Sequence, residues 1–112
     1  MKSDKESSEH YTWGQNCDGW HLLKTDSLSV IQEMMPPNTE EALHFHHKAQ
    51  QFFFILSGLA TFEIEGEVIE IKSNEGFYVE PNKQHKIKNN SLTDLHFLVI
   101  SEPKAHGDRT NL

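Results

Sequence analysis

The chain has 112 residues, enough for one hydrophobic core and too few for a second domain. Ten Lys and Arg stand against 17 Asp and Glu, a formal charge of −7 with histidine neutral, which argues against nucleic acid or an anionic membrane surface as a partner, since both require a basic patch. Cys17 is the only cysteine, so no intrachain disulfide is expected, and the start Met1-Lys2-Ser3-Asp4-Lys5-Glu6 lacks the apolar segment of a signal peptide; with no apolar stretch near the ~20 residues of a membrane helix, a cytoplasmic location is the expectation.

Residues 1–10 are charged and serine-rich without periodicity and are expected to form a disordered tail. Residues 11–27 form an aromatic arm: Trp13 and Trp20 cannot rest in water, so the arm must pack on something. From 28 to 101, short strand-like runs alternate with turn signals. Leu28 to Met34 is followed by Pro36-Pro37-Asn38, Ala42 to His47 leads to Phe52 to Leu56, and Ser57-Gly58 closes that run. Ala60 to Ile64 and Val68 to Ile71 flank Glu65-Gly66; Phe77 to Val79, His85 to Lys88 and Leu95 to Ser101 complete the series. Strands about ten residues apart, punctuated by Gly, Pro and Asn, predict an all-β sandwich or barrel. No helix and no internal repeat is evident, and residues 102–112 read as a C-terminal tail.

Within that series, His44 and His46 form an H-x-H pair. Side chains at i and i+2 of a strand point the same way, about 6 to 7 Å apart along the chain, so the pair presents two imidazoles from one face. Gln51 opens the next apolar run and His85 lies on a later strand able to fold back over the first. Imidazole suits Zn, Cu, Fe and Ni, and an amide oxygen adds a neutral fourth donor. His44, His46, Gln51 and His85 are therefore the candidate ligands of one divalent transition metal per chain. His47 has the opposite parity and should point away, while His10, His21, His96 and His106 read as satisfied polar residues.

The same residues resemble the two motifs of the cupin superfamily over Met34 to Ser101. The first motif, two histidines one apart, an acidic residue and then a glycine, reads here His44, His46, Gln51, Gly58; the second reads Gly76, Pro81, His85, Asn89. Gln51 occupies the usual glutamate position, and Lys83 stands where the second motif often has glycine. The resemblance implies a double-stranded β-helix, or jelly-roll barrel, of the small single-domain type described as mannose-6-phosphate-isomerase-like.

Parity carries the reading further. His85, Ile87 and Asn89 should face inward and Lys86 and Lys88 outward; Gln51 should share a face with Phe53 and Ile55, leaving Phe52, Phe54 and Leu56 on the other. Both faces of that strand want burial, so the outer one is expected to meet a second subunit in a homodimer, as small cupins commonly do, or to be covered by the chain's own arm. Three neutral imidazoles and a neutral amide leave the metal its full double charge, which favours an anionic ligand such as a carboxylate or an enolate. Zn, Ni, Fe and Mn all accept these donors. The expected partner is a small polar ligand, sugar-derived or a carboxylate, at an open metal position. The alternatives are a binding module without catalysis, and an enzyme similar to the uronate-linearising cupins or to the iron-dependent dioxygenases. The uronate-linearising cupins also use an acid and an arginine near the C-terminal strand. Asp94 could be the acid here, whereas the single arginine, Arg109, follows the last predicted strand. No catalytic residue is assigned from sequence.

Overall fold

A computed structural model describes all of residues 1–112 and contains twelve strands and no helix. The strands are β1 (Glu9–Trp13), β2 (Cys17–Lys24), β3 (Ser29–Met35), β4 (Thr39–Glu40), β5 (His44–His46), β6 (Gln50–Ser57), β7 (Leu59–Ile64), β8 (Glu67–Lys72), β9 (Gly76–Val79), β10 (His85–Asn89), β11 (Leu95–Glu102) and β12 (Arg109–Asn111). They form two antiparallel sheets packed face to face, ordered β1-β2-β3-β11-β6-β9 and β12-β5-β10-β7-β8, with β4 alongside β10. This is the jelly-roll arrangement the motifs imply. No helix is present to cross a membrane.

Alternation explains how the sheets meet. On β11, Leu95, Phe97, Val99 and Ser101 are buried while His96, Leu98 and Ile100 are half-buried on the other face. On β10, His85, Ile87 and Asn89 point in, and Lys86 and Lys88 lie outside, paired with Glu63 at 3.4 and 3.1 Å. Phe53, Phe62, Phe97, Ile55 and Ile87 fill the space between the sheets, with Phe53 edge-on to Phe62 at 4.9 Å. Burying side chains of this size contributes about 1.5 to 3 kcal/mol each in transfer terms.

Two motif residues outside the histidine set are structural. Gly58 turns β6 into β7 with φ +94°, and a Cβ there would lie 2.6 Å from the Asp94 carbonyl oxygen, so only glycine fits. Asn89 is fully buried with both ends of its amide satisfied. Its Nδ2 donates to the Met35 and Thr93 carbonyls at 2.9 and 2.8 Å, and its Oδ1 accepts from the Ser91 N–H and hydroxyl. It clamps the end of β3 to the β10–β11 loop.

The chain ends differ from the sequence expectation. The arm is a hairpin, β1 and β2, that extends the larger sheet edgewise through β3 rather than folding over a sheet face. Strand structure already begins at Glu9, inside the expected tail, and the turn before it is capped by the Asp4 carboxylate accepting from the Ser7 N–H at 2.9 Å. At the other end β11 runs to Glu102, and residues 109–111, expected as tail, pair with β5 as β12, Arg109 opposite His46 and Asn111 opposite His44. Arg-Thr-Asn carries no apolar alternation; its pairing is made by backbone groups that complete the edge of β5.

Candidate metal centre

Two strands bring the three histidines together. His44 and His46 project from one face of β5, and the β5–β10 register sets His85 directly opposite His44. Ring centroids lie 4.3 Å apart for His44 and His85, 5.0 Å for His44 and His46, and 5.8 Å for His46 and His85. One ligand atom from each can be chosen so that all lie within 4.8 Å of one another. The three histidines could hold a metal ion. Gln51 stands on β6 in the facing sheet and lines the same cavity as His44 and His46. None of the four is more than 7% exposed.

Backbone carbonyls orient every ring. The Nδ1–H of His44 donates to Ala42 O at 2.8 Å, that of His85 to Lys83 O at 2.8 Å, and that of His46 to Asp108 O at 3.3 Å. A ring that donates from Nδ1 keeps its Nε2 lone pair free, the tautomer a metal needs. Burial holds His44 down to about 3 and His46 down to about 4, and lowers His85 as well, so all three are neutral at physiological pH. Gln51 donates its Nε2 to the Ser101 hydroxyl at 3.1 Å, which leaves its carbonyl oxygen over. Gln51 Oε1 and His85 Nε2 are buried without any hydrogen-bond partner. Two lone pairs abandoned in this way would each cost about 1 to 3 kcal/mol. A cation removes that cost, and the residues fit a metal on this ground.

The C-terminal segment holds one wall of the site. Asp108 offers its carbonyl to His46, and its carboxylate accepts the backbone N–H groups of His47, Lys48 and Ala49 at 3.2, 2.8 and 2.9 Å. These bonds hold the Asp108 carboxyl below the usual range. His47 turns outward, as its parity requires, to meet the Thr110 hydroxyl at 3.1 Å.

A cavity of ≈ 570 Å³ opens from these residues toward the arm. The sequence reading missed much of its lining. Arg109, placed beyond the last predicted strand, sits on β12 at the cavity, 3.7 Å from the Glu41 carboxylate. Burial pushes Glu41 up to about 8 and Glu33 up to about 7, with the Arg109 charge opposing both shifts. Tyr11 donates to Glu33 at 2.6 Å, and the Trp13 indole N–H is buried without an acceptor. His21 and His106, assigned no role above, also line this space. Asp94 does not: it is exposed, in the loop before β11 that lies against Gly58. Glu33 was detectable, because Ser29, Ile31, Glu33 and Met35 share one strand parity and an acid at an inward position stands out. Arg109 carried no such signal.

The sequence matches the Cupin_2 family, described as a cupin domain, over residues 31–101. It is 30% identical over 85 residues to an oxalate-binding protein of Thermotoga maritima, covering 71% of this chain and 70% of that protein. An uncharacterized protein of Methanocaldococcus jannaschii is 26% identical over 92 residues, covering 82% and 74%. Among solved structures, a predicted oxalate decarboxylase from T. maritima superposes with a TM-score of 0.82 at 23% identity, over 93% of this chain and all of that one. KdgF from a Halomonas species superposes with a TM-score of 0.85 at 13% identity, over 96% and 98%. At such identities the two structures speak for the fold.

Asp108 supports a donor without being one. Asp108→Ala keeps the backbone carbonyl that meets His46 but removes the carboxylate that fixes the backbone of residues 47–49 beside it, so metal affinity should fall by up to the ~10- to 100-fold that disturbing an outer partner costs, with the fold retained. Chelator competition at neutral pH measures it, and His44→Ala should lose retention altogether in the same assay.

Proposed function

The chain belongs to the Cupin_2 family of cupin domains, and from that premise we propose that it is a metal-dependent cupin that takes a small carboxylate ligand into the cavity beside His44, His46 and His85. The carrying observation is the inward set of lone pairs: ring nitrogens freed by Nδ1 bonds to backbone carbonyls, with Gln51 Oε1 and His85 Nε2 left unpartnered. In this reading Gln51 is the fourth ligand. One divalent transition metal, Zn, Ni, Fe or Mn, would supply uncompensated positive charge for an anion's oxygens.

The chain's own groups supply the remaining recognition. Arg109 brings a permanent cation to the cavity, and its guanidinium suits a carboxylate. The unaccepted Trp13 N–H offers a donor to an oxygen of the ligand. The oxalate-binding relative supports the same ligand chemistry. The cavity lies in the size range of organic-ligand sites, so sugar acids as well as two-carbon acids could be accommodated. A second reading, conversion of the ligand, is favoured by Glu33 and Glu41, carboxyls that hold protons near neutrality beside the same space.

We also infer a homodimer through the outer face of the larger sheet. Phe52, Leu56 and Tyr78 are 41%, 38% and 51% exposed there, beside half-buried Phe54, Leu98 and Ile100. The arm offers this patch no cover, since it joins the same sheet at its opposite end. A second copy supplies an identical face, the self-complementary contact of a two-fold dimer. Light scattering at micromolar concentration should return twice the chain mass, and Phe54→Lys should shift it toward one; a wild-type mass of one chain would refute the dimer.

Calorimetry on Zn(II)-loaded protein tests the ligand reading. Oxalate should bind with one site per chain, metal-stripped protein should bind none, and Arg109→Ala should weaken binding about tenfold or more, as loss of a charged partner does. Absence of binding by oxalate to the metal-loaded protein would end the reading.

A further inference from the structure

We propose that Glu33 transfers a proton to and from the bound ligand, seated for this by Tyr11 across the gap left at Gly19, and that the ligand carries a C–H bond beside a carbonyl, as 2-oxo acids do. The inference rests on the metal and carboxylate reading above and adds a reaction to it.

The device is a row across three strands. Tyr11 pairs with Gly19, and Gly19 with Glu33, so Tyr11 and Glu33 lie on either side of a residue with no side chain. A Cβ at position 19 would overlap the Tyr11 ring. With glycine there, the ring lies over the β2 backbone and its hydroxyl reaches Glu33 Oε2 at 2.6 Å. Tyr11 is the only hydrogen-bond partner of the Glu33 side chain, and both residues line the cavity that His44, His46 and Gln51 line. Glu33 is half-buried, and its second oxygen makes no hydrogen bond within the chain. Here one oxygen is engaged from behind and the other is left to the cavity.

The surroundings suit proton exchange. Burial raises the proton affinity of Glu33, while the Tyr11 hydrogen bond and the Arg109 charge hold it back, and the balance lies at about 7. Both protonation states are then available near neutral pH, the condition under which a general acid and base is most effective. Burial and the neighbouring Glu33 push Tyr11 upward, so it stays protonated and acts as a donor. The other charged or titratable groups facing this space are Glu41, Arg109, Lys104, Glu9, Lys24 and the cavity histidines.

The step balances without a co-reactant. The free carboxylate oxygen of Glu33 takes the proton of the ligand's C–H bond, forming O–H as C–H breaks. The released electron pair becomes the C=C bond, and the carbonyl π pair moves to oxygen, giving the enolate of the ligand. Return of the proton to the same carbon regenerates the ligand; return to a different atom isomerises it. Glu33 is the catalytic residue and Tyr11 a positioning residue.

Pyruvate is the probe, because it joins a carboxylate to a methyl group beside a carbonyl. In D2O, Zn(II)-loaded protein saturated with pyruvate should exchange the methyl protons, followed by proton NMR, well above the rate of Zn(II) in buffer. Glu33→Gln should cut the saturated rate about 100-fold or more, the scale of general base catalysis. Tyr11→Phe and Gly19→Ala should each move the pH midpoint of exchange upward, because they remove the hydrogen bond that favours the carboxylate. In metal-free protein, the Glu33 carboxyl followed by carbon-13 NMR should titrate near 7 and shift up in Tyr11→Phe. Exchange at the wild-type rate in Glu33→Gln, pyruvate bound without exchange, or oxalate bound and pyruvate refused would each overturn the proposal. A protein that binds oxalate but not pyruvate leaves the carboxylate reading standing, whereas failure to bind oxalate removes both.

Discussion

Three imidazoles held with their lone pairs inward by three backbone carbonyls are the constraint on which the rest of this molecule turns. Each Nδ1–H bond is local to a strand or loop whose course is set by the sheets: Ala42 precedes β5, Lys83 precedes β10, and Asp108 precedes β12. The register of β5 against β10 then brings His44 and His85 to within 4.3 Å between centroids. Burial keeps the rings neutral, so no charge repulsion opposes their approach. A cluster of this kind costs free energy when nothing accepts the lone pairs, and it is supported by the apolar packing of Phe53, Phe62 and Phe97 beneath it.

The cavity combines neutral side chains at the histidine cluster with charged ones elsewhere on its wall. His44, His46, His85 and Gln51 are all neutral, while Arg109 and the two carboxyls Glu33 and Glu41 line the same cavity as His44, His46 and Gln51. Arg109 and Glu41 temper one another at 3.7 Å. An anion in this cavity would meet the positive charge of Arg109 and, in the proposed function, that of the metal as well. The segments at both chain ends do this work: β12 carries Arg109 and orients His46 through Asp108, and β1 supplies Tyr11 and Trp13.

The sequence made the centre legible and its surroundings much less so. Strand parity placed His44 and His46 on one face, turned His47 away, and set His85 beside Ile87 and Asn89, because β5 and β10 have one dry and one wet side. The glycine, proline and asparagine turns marked the strands from 28 to 101 because those residues supply the backbone angles that turns require, as at Asn38, Gly58, Gly66 and Asn82, all with positive φ. Parity fails where a strand is short and polar. β12 is three residues joined to β5 by backbone bonds alone, and Arg109 therefore read as tail. β1 begins with Glu9 and His10, polar residues that hid its start. Asp94 sat at a plausible place along the chain, yet the β10–β11 loop carries it away from the cavity, and only tertiary structure shows this. Glu33 lay on the inward parity of β3 and could have been singled out.

The central claim is that the inward lone pairs belong to one metal ion. Protein stripped with chelator and titrated with Zn(II), with the bound metal counted after desalting, tests this directly. The account predicts one equivalent per chain in the wild type, near-complete loss in His85→Ala, and tighter retention in Gln51→Glu, where a carboxylate replaces a neutral amide. Retention of no metal by the wild type, with Ni, Fe and Mn tried in turn, or undiminished retention by His85→Ala, would contradict it.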